Sequence, residues 1–121
     1  MCTIKKMTVG DRTIRVADIK MKYMENIVAA AKDCDYIDKV VLFGSATRSN
    51  CRKDSDIDLA VFGNKTRGKA VTSAKYRSFL KKIYAYDDFE QTYDIMYFKS
   101  GARNNAGIMA DIEQGEVLYA R

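Results

Sequence analysis

Two short apolar runs, residues 39–43 and 57–62, flank a polar stretch, and their junction constrains the fold more than any other feature of the chain. Both are dominated by β-branched and aromatic residues and are too short for helices, so both read as buried strands. The first ends at Gly44-Ser45, where a glycine lets the backbone turn and approach a ligand closely. The second is entered through Asp56-Ile57-Asp58-Leu59. Side chains at i and i+2 of a strand share a face, so Asp56 and Asp58 project together while Ile57 and Leu59 enter the core.

The remaining elements follow from periodicity. Residues 3–8 and 12–16 alternate around Gly10-Asp11, which suggests a β-hairpin. Residues 17–34 read as a helix with Ile19, Tyr23, Ile27, Val28 and Ala31 on one face. A second helix is expected over 68–84, its stripe formed by Val71, Ala74, Tyr76, Phe79, Leu80 and Ile83. Residues 92–98 form a third strand, 103–114 a last helix closed by Gly115 at its C-terminal cap, and 117–119 a short final strand. This order predicts an α/β or α+β fold, a single mixed sheet flanked by helices. Without proline or a linker-like tract, residues 1–121 are expected to form one domain.

Composition narrows the chemistry. With no histidine, hydrolytic triads and other histidine-base mechanisms are excluded, and a zinc site is not expected. Cys2, Cys34 and Cys51 are odd in number and lack metal-ligand spacing, which fits reduced thiols and a cytoplasmic location. No apolar run approaches the length of a membrane span, and the first residues lack a signal-peptide core. The net charge of +5 permits a polyanionic partner, but a solvated basic surface is the favoured account of it.

The carboxylates are more informative. Two held side by side repel unless a cation neutralises them, and Mg²⁺ favours one or two carboxylates together with substrate phosphates. Asp94, inside the otherwise apolar run 91–98, adds a third. Either it lies beside Asp56 and Asp58 and completes a cation site, or it sits on an edge strand and faces solvent. Three convergent carboxylates can hold two metal ions about 3.5–4 Å apart, an arrangement suited to in-line displacement at phosphorus. Across from them, Ser45 and the amides after it can bind phosphate at the start of a short helix, or Ser45 serves only as a helix cap. Arg48 can clamp a phosphate in a fork.

Taken together, Gly-Ser-x-x-Arg (Gly44, Ser45, Arg48) followed by Ser-Asp-Ile-Asp-Leu (residues 55–59) resembles the nucleotidyltransferase superfamily that includes DNA polymerase β and kanamycin nucleotidyltransferase. The similarity is strongest to the minimal, single-domain nucleotidyltransferases, and Asp94 with Ile112, Gly115, Leu118 and Tyr119 extends it toward the C-terminus. The resemblance implies that Gly44, Ser45 and Arg48 bind a nucleoside triphosphate, with ATP expected. It implies that Asp56, Asp58 and Asp94 are catalytic and bind two Mg²⁺, with Mn²⁺ as an alternative. It further implies transfer of a nucleoside monophosphate, AMP, to an acceptor hydroxyl, with a HEPN-type partner protein as acceptor and a role as the antitoxin of a toxin–antitoxin pair. The alternative is a non-catalytic nucleotide-binding or partner-docking module of the same fold. Many relatives carry glycine where this chain has Ser49 and proline where it has Lys53, differences confined to the connecting loop.

Competing motifs fail on chemistry. Residues 63–70 nearly spell a phosphate-binding P-loop, but Ala70 lacks the hydroxyl needed at its last position. Asp54, Asp56 and Asp58 mimic the start of a calcium loop whose glycine and glutamate positions are Leu59 and Lys65. The basic run 65–82 has little aromatic interleaving, so nucleic acid is not the favoured partner.

Overall fold

A computed structural model describes residues 2–101 and 106–121. Strands β1 (Ile4–Val9) and β2 (Arg12–Ala17) pair antiparallel as a separate two-stranded ladder. A 3-10 segment, Asp18–Tyr23, leads into helix α1 (Met24–Lys32). The continuous helix expected from residue 17 is therefore tightened over its first part. The Asp18 carboxylate accepts the amides of Thr3 (3.3 Å) and Ile19 (2.8 Å), tying this turn to the hairpin. As a result Ile19 is 38% exposed rather than on the packed stripe, whereas Tyr23, Ile27, Val28 and Ala31 are buried.

The main sheet has the order β5-β4-β3-β6. Its strands are β3 (Ile37–Phe43), β4 (Ile57–Gly63), β5 (Tyr93–Lys99) and β6 (Glu116–Ala120). β3 runs antiparallel to β4 and β6, and β4 runs parallel to β5. This is the mixed sheet with flanking helices expected from the sequence. β3 and β4 are central and covered on both faces, which explains their nearly unbroken apolar sequences. On one face Val40, Leu42, Ile57, Leu59, Val61 and Tyr97 pack against the hairpin, α1 and α3. On the other, Val41, Phe43, Ala60 and Phe62 form a smaller cluster with Ile112 of α4 (Ala106–Glu113).

A parallel pair needs a crossover. Here it contains two helices, α2 (Arg67–Val71) and α3 (Ala74–Ala85), where one was expected. The Thr72 hydroxyl turns back onto the Gly68 carbonyl (2.8 Å), and Ser73 accepts the Tyr76 amide (3.2 Å) as the cap of a new helix. The break leaves Val71 and Ala74 exposed, while Tyr76, Phe79 and Ile83 stay buried. For α4, the expected start at 103–105 lies outside the described residues. Gly115 is not a left-handed cap as expected; its place is set by close approach, because a β-carbon there would collide with the Leu42 carbonyl. Among the described residues no helix is long and apolar enough to cross a membrane.

Candidate active site

The strand directions bring the C-terminal end of β3 and the N-terminal ends of β4 and β5 to one edge of the sheet. Phe43 is the register partner of Asp58, and Asp58 is the register partner of Asp94. Register partners on neighbouring strands share a face at about 4.8 Å spacing, so Asp58 and Asp94 stand side by side. They lie on the face that α4 covers farther along, the face of Ala60 and Phe62. The structure combines the placements of the two readings of Asp94: β5 is an edge strand and Asp94 is exposed, yet it flanks Asp58.

Asp58 is half-buried, and its carboxyl is pushed up to about 6. Burial is the main cause, followed by the neighbouring charges of Asp94 and Asp56, with Arg48 opposing. Asp56 stands just ahead of β4, exposed, and its carboxylate accepts a hydrogen bond from the Thr92 hydroxyl. Among the described residues no group of three or more carboxylate or thiol side chains is gathered into a ready-made metal site. Asp58 therefore has two acidic neighbours without the three forming a closed cage. The donor set itself is hard oxygen, the type that Mg²⁺ takes, with substrate phosphates supplying the remaining ligands.

Opposite the carboxylates, the chain leaves β3 through Gly44 at φ +73°. A β-carbon at this residue would collide with the Asp58 carboxylate, so the bend is packed directly onto the acidic site. Beyond it lies a 3-10 turn, Gly44–Thr47, held by the Thr47 hydroxyl on the Gly44 carbonyl (2.7 Å) and the Arg48 amide on the Ser45 carbonyl (2.9 Å). Two expectations need correcting. The turn is too short to supply an appreciable helix dipole, and Ser45 is not a cap, because Phe43 holds that position with no side-chain bond. Arg48 is exposed, and its positive charge partly offsets the upward shift of the Asp58 pKa. The structure thus packs Gly44 directly on Asp58 and sets Asp94 beside Asp58 in register, with Ser45 in the turn that follows Gly44 and Arg48 just after it. The P-loop-like run starts at Gly63, at the far end of β4.

Two residues near the site escaped the sequence reading. Lys20, 1% exposed, donates from Nζ to the carbonyls of Lys53 (3.0 Å) and Ser55 (2.8 Å) and to Oε1 of Gln91 (2.7 Å). Gln91, also buried, donates from Nε2 to the carbonyls of Ser55 (3.0 Å) and Thr92 (2.7 Å). One signal was present: Lys20 lies at helical spacing from Met24 and Ile27, on a stripe that is otherwise apolar.

Residues 25–121 match a family model described as Polymerase beta, Nucleotidyltransferase. A comparison with curated proteins found no match. The matched span begins in α1 and takes in all four strands of the main sheet. By that match, and with a mixed sheet that sets Asp58 and Asp94 against the Gly44 bend, the chain belongs to the polymerase β-type nucleotidyltransferase family.

Proposed function

We propose that this protein transfers AMP from ATP to an acceptor hydroxyl on a partner protein, using Mg²⁺ held by Asp56, Asp58 and Asp94. The observation that carries the reading is the in-register pair Asp58–Asp94 facing a glycine bend packed onto Asp58. When bound, Mg²⁺ would neutralise the phosphates and the clustered carboxylates and acidify the acceptor hydroxyl. The chain's own groups do the rest. The amides after Gly44, the Ser45 hydroxyl and the Arg48 guanidinium hold the triphosphate. Asp94, exposed at the edge of the sheet, receives the acceptor proton. The acceptor oxygen bonds to the α-phosphorus, the bond to the β-phosphate oxygen breaks, and pyrophosphate leaves.

The choice of ATP, the HEPN-type partner and the antitoxin role rest on the resemblance to minimal nucleotidyltransferases. Incubation with labelled ATP, Mg²⁺ and a cognate partner tests the reaction. Label should pass to the partner and be lost in the Asp56→Ala/Asp58→Ala double variant, and transfer that survives this variant refutes the assignment.

A second reading is favoured by the absence of a ready-made three-ligand cation site among the described residues. In it the fold is retained for docking or nucleotide binding without chemistry. Calorimetric titration identifies a docking module, which shows no Mg²⁺-dependent binding of ATP at millimolar ligand, and a nucleotide-binding module without chemistry binds ATP but passes no label to the partner.

A further inference from the structure

We infer that Lys20 and Gln91 are positioning residues that fix the spacing between the two acidic strand entrances; the inference rests on the nucleotidyl-transfer reading above. The Ser55 carbonyl, immediately before Asp56, accepts from both Lys20 Nζ (2.8 Å) and Gln91 Nε2 (3.0 Å). The Thr92 carbonyl, two residues before Asp94, accepts from Gln91 Nε2 (2.7 Å) and from the Ile57 amide (3.1 Å). Lys20 Nζ closes the network on Gln91 Oε1 (2.7 Å), and the Gln91 amide is held by the Asp87 carboxylate (3.1 Å). The Thr92 hydroxyl meets the Asp56 carboxylate from the same segment. Two buried side chains thus bridge the segment leading to Asp56 and Asp58 and the segment leading to Asp94.

The arrangement answers a physical problem. Asp56, Asp58 and Asp94 carry like charges, and repulsion would part the strand entrances until a cation arrives. β5 is an edge strand with only one neighbour to resist that. A buried ammonium and a buried amide, both bonded to backbone, resist it without occupying the carboxylates. Without Lys20 the buried Gln91 Oε1 would lose its donor and the Lys53 and Ser55 carbonyls would each lose one, a costly loss at the buried end.

The test uses the full chain as wild type, Lys20→Met, Lys20→Arg and Gln91→Glu. Three readouts are taken: AMP transfer kinetics, Mn²⁺ binding by electron paramagnetic resonance without nucleotide, and amide exchange at Ile57 compared with Val40 at the sheet centre. In Lys20→Met and Gln91→Glu, kcat should fall by about tenfold to a hundredfold, the range for small misplacement of reacting groups. KM for ATP should stay within about twofold, because the Gly44 bend lies outside the network. Mn²⁺ should bind several-fold more weakly, and exchange should quicken at Ile57 but not at Val40. Lys20→Arg, which keeps the charge and donors, should recover part of the loss. Should Lys20→Met fail to fold, Gln91→Glu decides on the same readouts. Folded variants with wild-type kcat and Mn²⁺ affinity overturn the positioning role and leave the reaction standing. A wild-type chain that neither binds Mn²⁺ nor transfers AMP overturns the reaction and the positioning role together.

Discussion

Asp58 and Asp94 are register partners on parallel strands, and the charge of Asp94 is the largest influence raising the Asp58 pKa after burial itself. Removing that charge should therefore be visible at Asp58. In Asp94→Asn, without metal, the Asp58 carboxyl should titrate below its value of about 6. Carbon-detected NMR of the aspartate carboxyls checks this, and an unmoved Asp58 titration would show that the two side chains do not sense each other.

The same raised pKa predicts how stability depends on pH. Asp58 is shifted from its ordinary 3.8 to about 6, so the folded state holds a proton that the unfolded chain releases. Below pH 3.8 both states are protonated and this group costs nothing; as pH rises toward 6 its contribution to stability is lost, and above 6 the loss is complete. Asp58→Asn should thus be more stable than wild type at pH 7 by about 1 kcal/mol, a figure already discounted for a half-exposed site. The advantage should vanish near pH 4. Mg²⁺ should raise the wild-type melting temperature and leave that of Asp58→Asn nearly unchanged.

Gly44→Ala meets two obstacles at once. The residue sits at φ +73°, where L side chains are strained, and its β-carbon would collide with the Asp58 carboxylate. The variant should lose about 1–3 kcal/mol of stability by chemical denaturation. It should also lose ATP binding by calorimetry, since Asp58 or the bend must shift. A folded Gly44→Ala that binds ATP like wild type would break the link between bend and site.

How much of this was readable beforehand differs by element. Strands β3 and β4 were legible because they are buried on both faces, so their apolar character is continuous and unambiguous. Asp58 and Asp94 could be singled out because a carboxylate within an apolar strand demands an explanation. Their register could not be read, since it depends on which strands pair and in what direction. The break between α2 and α3 was hidden because Val71 and Ala74 fit the periodicity of a single helix, and only the local bonds of Thr72 and Ser73 overrule it. Lys20 was missed because a lysine among apolar positions reads as a solvated side chain until its three acceptors, all far from it in sequence, are seen together.

Gly115 supplies the clearest contrast between what a residue type suggests and what its place requires. A glycine after a helix suggests a left-handed cap, which predicts that Asn would be tolerated and Ala moderately costly. Gly115 is not among the residues with positive φ, and the constraint is instead the β3 backbone: a β-carbon would press on the Leu42 carbonyl and stand 3.0 Å from Val41 and Phe43 side-chain atoms. Asn and Ala both carry that carbon, so both should destabilise the fold by about 1–3 kcal/mol, the usual cost of overpacking. Because Phe43 is the register partner of Asp58, the displacement should also reach the site and lower AMP transfer. Denaturation of Gly115→Ala and Gly115→Asn measured in parallel decides the matter: comparable losses mark close approach, whereas an Asn variant near wild type marks a cap.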